Sequence, residues 1–204
     1  MRLPLEQELR AERRRLTATL DQLPDDAFES GRTLCAEWSP RDVLGHLLAV
    51  DGFATSYLPY GPFVHVANRR QVERARRLPR SRLMERARVW ADQPSLTSRI
   101  GAAVTLGDLA IHHQDIVRGQ GLRRDLPASV GTFILWDGAL LSLWTNLRVL
   151  RYRVVPTDGY PEIGVRSPCA REVRGTREAL GMWLAGRDSV TDDLVFDRLE
   201  GGLA

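Results

Sequence analysis

The sequence contains no lysine: all 29 of its basic residues are arginines. A chain without an amine side chain has no Schiff-base nucleophile and no phosphate-loop ammonium, so those chemistries are excluded. Cysteine is also scarce. Cys35 and Cys169 stand far apart, form neither a CxxC zinc motif nor a disulfide framework, and read as small buried residues rather than nucleophiles. That usage suits a reducing, cytoplasmic setting. No apolar run approaches the roughly 18 residues that a membrane span needs. The most apolar region, 129–150, is interrupted by Asp137, Asn146 and Arg148. The N-terminus is charged at once and lacks the apolar stretch of a signal peptide, so neither secretion nor membrane association is expected.

What is present is ordinary for a globular chain. Of 204 residues, 43% are hydrophobic and 27% charged, enough for one good core with a small appendage. The net charge is only +3. Local basicity is confined to Arg69–Arg88. No aromatics are interleaved there, so it reads as a solvated helix face, and no nucleic-acid partner is expected.

Helical periodicity dominates the first three quarters. Leu9, Leu16, Leu20 and Leu23 mark an amphipathic helix over 5–23, ended by Pro24. Residues 24–38 read as a polar connection. Ser39-Pro40-Arg41-Asp42 is a strong helix start: serine caps, proline suits the first helical position, and aspartate favours the positive end of the dipole. That helix is expected to reach about Tyr57. Two short arginine-rich helices follow, over 68–77 and 81–92. Thr105-Leu106-Gly107-Asp108 resembles a capping box and opens a helix to about Arg118, where Gly119 and Gly121 stop it. A long apolar helix is expected over 127–148. Beyond it the pattern turns to short β-branched strands around 149–174, a helix over 175–186, and a last strand or short helix. The expected fold is mainly α: a four-helix bundle over 1–148 with a small α+β region over 149–204.

Only four histidines are available: His46, His65, His112 and His113. Asp108 and His112 are four apart, on one helix face, and Asp115 continues that face. An acid and a histidine so spaced can bind one ion together. His46 sits among Val43, Leu44, Leu47, Leu48 and Val50, where a satisfied core histidine is the plainer reading. Were the two helices to pack side by side, three N/O donors would meet in the bundle core, the layout of a catalytic zinc site with one open position. Nickel, iron or manganese would suit the same donors. Asp51 or Asp115 would accept the outer N–H of a ligating ring. Tyr60, Phe63 and His65 lie on a loop that would border such a site.

Three segments resemble one family. CAEWSPRDVLGHLLAVD (35–51), GDLAIHHQDIVRGQG (107–121) and REALGMWLAGR (177–187), together with VVPTDGYPEIGV (154–165), resemble the signatures of the mycothiol-dependent maleylpyruvate isomerase family, in the DinB-like superfamily. The resemblance spans nearly the whole chain. It implies a DinB-like four-helix bundle holding a divalent metal, usually zinc, with His46, Asp108 and His112 as ligands. Many members carry glutamate where this chain has Asp108. It also implies mycothiol as cosubstrate and an activated thiol that isomerises, or is transferred to, a small electrophile. Arg174, Arg177 and Arg187 are the candidate substrate contacts. The alternative within the superfamily is a non-catalytic metal- or ligand-binding protein. Superfamily members often dimerise, although no interface stripe is legible in the sequence. The arginine-rich composition fits the GC-rich actinobacteria that make mycothiol.

Overall fold

The computed structural model describes residues 3–35, 37–167 and 171–197. Cys169, one of the two cysteines, lies outside them. The chain divides into two compact units, 1–125 and 126–204.

The first unit is helical. It contains α1 (Glu6–Gln22), α2 (Asp25–Ser30), α3 (Pro40–Asp51), α4 (Phe53–Ser56), α5 (Val64–Arg76), α6 (Arg80–Asp92), α7 (Leu96–Ile100) and α8 (Ala102–Gly119). The four long helices α1, α3, α6 and α8 close a bundle: α1 packs on α6 and α8, and α3 packs on α6 and α8 in turn. Their buried faces hold Leu9, Leu16 and Leu20 of α1, Val43, Leu44 and Leu47 of α3, Leu83 and Ala87 of α6, and Leu106, Leu109 and Ile116 of α8. α5 lies against the outside of α3. Gly45 permits that approach, because a Cβ there would stand 2.4 Å from Ala75 Cβ.

Local rules account for some boundaries and not others. Ser39 and Asp42 form a reciprocal capping box at the start of α3, with Pro40 in the first turn. α3 ends at Asp51 rather than near Tyr57, because Gly52 breaks the helix. α8 begins at Ala102, three residues before the expected start, with Gly101 as its N-cap. Thr105 and Asp108 therefore lie inside the helix, and the cap-like pattern there is not a cap. Four arginines of the basic segment are matched with acids: Arg76 with Asp42, Arg80 with Asp25, Arg82 with Glu85 and Arg88 with Asp21.

Two buried ionic groups tie the bundle together. The fully buried Arg13 guanidinium donates to Asp51 Oδ1 at 2.6 Å and to the Trp90 carbonyl at 2.9 Å, and it lies 4.3 Å over the Trp90 ring. It thus joins α1 to the end of α3 and to α6. Glu12, also fully buried, meets His113 Nδ1 at 2.8 Å and the guanidiniums of Arg15 and Arg124. Burial alone would raise the Glu12 pKa. The His113 hydrogen bond and the Arg124 charge outweigh it and hold the carboxyl at about 2.

The second unit contains α9 (Ala128–Thr145), β1 (Tyr152–Pro156), β2 (Ile163–Gly164), β3 (Arg171–Gly175), α10 (Arg177–Leu184) and β4 (Val195–Asp197). The sheet order is β2-β1-β3-β4, with β1 and β3 parallel and the outer pairs antiparallel. The helix α9, which its apolar pattern groups with the bundle, packs instead on α10. Gly138 and Gly181 make that crossing close: a Cβ on Gly138 would fall 2.1 Å from the Gly181 carbonyl oxygen. Among the described residues no helix is long and apolar enough to cross a membrane. Mainly helical, with a small C-terminal sheet, the protein has the fold class expected from its sequence.

Replacing Arg13 with leucine leaves Asp51 without its main counter-charge. A loss of about 3 kcal/mol or more is expected in urea unfolding, as for other broken buried pairs. Glu12 predicts an acid limit. Its folded pKa lies below the ordinary 4.5, so its stabilisation is complete above that value and disappears as pH falls toward about 2. Glu12→Gln should flatten the fall in melting temperature over that window.

Candidate metal centre

The side-by-side packing of α3 and α8 brings His46, Asp108 and His112 together. His46 Nε2 lies 3.7 Å from Asp108 Oδ2, and His112 Nε2 lies 3.6 Å from Asp108 Oδ1. One donor atom from each residue falls within 4.8 Å of the other two. Both imidazoles are buried, whereas the Asp108 side chain is 28% exposed, so the cluster opens on the carboxylate side.

The outer ring nitrogens are both engaged. The Tyr57 hydroxyl lies 2.9 Å from His46 Nδ1 and donates to Asn68 Oδ1 at 2.8 Å. A hydroxyl has one proton, and here it goes to Asn68. The hydroxyl oxygen therefore accepts from His46 Nδ1–H, which leaves a lone pair on His46 Nε2. Burial, together with the nearby Asp108 charge, raises the Tyr57 pKa and keeps that hydroxyl protonated. His112 Nδ1 lies 3.0 Å from Asp115 Oδ2. An ionised carboxylate only accepts, so His112 also carries its proton on Nδ1 and a lone pair on Nε2.

Two ring nitrogens and a carboxylate thus lie within 4.8 Å of one another. Donors on a tetrahedral ion with bonds of about 2.0–2.2 Å stand roughly 3.3–3.6 Å apart. The two histidine–carboxylate spacings, 3.6 and 3.7 Å, are close to that range, and the three donors lie within 4.8 Å of one another, so the residue set suits a divalent cation. Electrostatics agree, since a cation placed among these donor atoms is attracted by each of them.

Trp38 forms a wall of the cluster. Its ring centroid lies 5.1 Å from that of His46 and 5.9 Å from that of His112. The 31–39 segment sets it there by crossing the end of α8, where Leu34 N donates to the Asp115 carbonyl. Gly119 leaves room for that crossing, as a Cβ would stand 2.4 Å from the Arg32 carbonyl oxygen. The same segment brings Cys35 near His112 and Asp115.

Of the two carboxylates expected to hold the rings, Asp115 touches His112 and Asp51 does not touch His46. Asp51 is drawn to Arg13 and to the backbone N–H of Ser95. The place expected for it is filled by Tyr57, which no sequence spacing marks, because the helix break at Gly52 lies between it and His46. His113, the neighbour of His112, points away to Glu12 and Thr19. His65 is exposed and borders a cavity of about 450 Å³ that Trp38 and Asn68 also line. Arg177 is held by Asp158 and Thr132 within the second unit, and Arg174 pairs with Glu172 there.

Residues 9–95 match the family model described as the mycothiol maleylpyruvate isomerase N-terminal domain. That segment is similar to this domain family. The match takes in α3 with His46 and stops short of α8. Two solved structures share the fold: the mycothiol-dependent maleylpyruvate isomerase and a histidine-to-alanine mutant of it. Each superposes with a TM-score of 0.66 at 14% identity, covering 96% of this chain and 93% of that one. No curated protein matches the sequence. The family match thus rests on residues 9–95, and the two solved structures show a shared fold.

Tyr57→Phe removes the acceptor for His46 Nδ1–H while keeping the ring. Zinc affinity, read by competition with a chromophoric chelator, should fall by about 10-fold to 100-fold, the usual effect of losing such a partner. An unchanged affinity would mean that Tyr57 does not orient His46.

Proposed function

We propose that the protein is a metal-dependent enzyme that uses a small thiol, mycothiol, to isomerise a small electrophilic substrate, or to add sulfur to one. The observation that carries this reading is the clustering of His46, His112 and Asp108, whose donor atoms lie within 4.8 Å of one another, with both outer ring nitrogens already engaged. A divalent cation held there, with zinc the best match to two imidazoles and a carboxylate, supplies the positive charge that keeps a thiol ionised at neutral pH.

The chain's own residues have distinct tasks in this proposal. His46, Asp108 and His112 hold the cation. Tyr57 with Asn68, and Asp115, fix the imidazoles in the one tautomer that can ligate. Trp38 excludes water from the ring side. The exposed side of Asp108 leaves an approach for thiol and substrate. No lysine is available as a nucleophile, and the cosubstrate sulfur takes that role. Addition of the thiolate to one carbon of a cis double bond leaves a single bond free to rotate. Expulsion of the same thiolate then returns the trans product and the cosubstrate. A persistent adduct gives sulfur transfer instead. A reducing cytoplasm suits such a cosubstrate.

Purified protein is expected to bind close to one equivalent of zinc, and His46→Ala well under half of that, by elemental analysis. Equal metal in both would remove His46 from the ligand set. In the zinc-loaded protein, mycothiol should raise the melting temperature, with glutathione and bacillithiol as comparisons. Metal binding with no shift from any thiol would instead indicate a non-catalytic binding protein built on the same bundle.

A further inference from the structure

The helix α9 breaks the usual pattern of a surface helix. Its eighteen residues include a single ionisable side chain, Asp137, and that one is turned inward and buried. The inner face is consumed by α10, yet the outer face is apolar too. Trp136 is 51% exposed, Leu140 45%, Leu143 41% and Trp144 83%. Leu147, just past the helix end, continues the stripe. At about 100° per residue these positions fall within roughly one 100° sector, so they form a single band. A helix that is apolar all round is ordinarily covered on all sides.

We propose that this band is a homodimer interface in which α9 pairs antiparallel with α9 of a second copy across a two-fold axis at Leu140. Three features select a second copy. The spacing is self-complementary: Trp136 and Trp144 lie equally far on either side of Leu140. A two-fold axis there sets Leu140 against its own counterpart and each Trp136 against the other copy's Trp144, as an isologous contact requires. The band is also uncharged, so two copies meet without like-charge repulsion, and nothing on it would select a charged partner. Finally, the exposed fractions correspond to roughly 600 Å² of apolar surface per copy, given that large aromatics bury about 150–250 Å² each. Twice that is about 1,200 Å², the lower edge of a stable specific interface. Trp136 is already oriented for the contact, as its indole N–H donates to the Tyr160 hydroxyl at 2.8 Å.

The test is sedimentation equilibrium of the full-length protein up to about 200 µM, a range in which micromolar association is readily seen. The wild type should fit a monomer–dimer equilibrium. Trp144→Glu changes the most exposed member of the band and should weaken association at least tenfold while the far-ultraviolet circular dichroism stays unchanged. Ile100→Glu replaces another strongly exposed apolar residue, at the end of α7, and should associate as the wild type does. A wild type that is monomeric throughout, a Trp144→Glu variant that still dimerises, or an Ile100→Glu variant that is equally impaired would overturn the assignment.

Discussion

A guanidinium withdrawn completely from water needs a counter-charge and hydrogen-bond acceptors, and the helices of the first unit are arranged to give Arg13 both. Asp51 neutralises it from the end of α3, the Trp90 carbonyl accepts from it, and the Trp90 ring covers it. Helix α3 is therefore anchored at its end by charge and at its start by the Ser39–Asp42 capping box. His46 lies between these two fixed points, on the face turned to α8. The buried polar network of Glu12, His113, Thr19 and Arg124 ties α1 to α8 in the same way. Geometry at the donor cluster thus depends on ionic contacts several residues away from it.

The cluster itself depends on where protons lie. Tyr57 spends its single proton on Asn68 and Asp115 only accepts, so each histidine must donate outward and present a bare nitrogen inward. Without such partners an imidazole could rotate or exchange tautomers, and the convergence of three donors would be lost. Asp108 has a short side chain, yet its two oxygens reach toward both rings because α8 and α3 pack closely.

Legibility varied with the range of the interaction that decides each feature. The capping box at Ser39 is local and was readable, as was the Asp108–His112 spacing, which follows from helical geometry alone. Thr105-Leu106-Gly107-Asp108 looked equally like a helix start, but nothing local reveals that Gly101 already opens α8. Asp51 was legible as a carboxylate near His46 in sequence, and a fully buried arginine on another helix took it. Tyr57 was not legible at all, because it reaches His46 only after the helix breaks at Gly52 and the chain continues through α4. The pattern of α9 announced an apolar helix without saying which partner would cover it.

By itself the sequence determined the helical fold class, the set of four histidines, the absence of any amine nucleophile and the family resemblance, since composition and short-range periodicity carry these. Only the tertiary structure decided which side chains meet. Side-chain ion pairs and glycine-permitted close approaches act between residues distant in the chain. They placed His46 beside Asp108 and His112, gave Tyr57 the role expected of Asp51, and set α9 with α10 in the second unit.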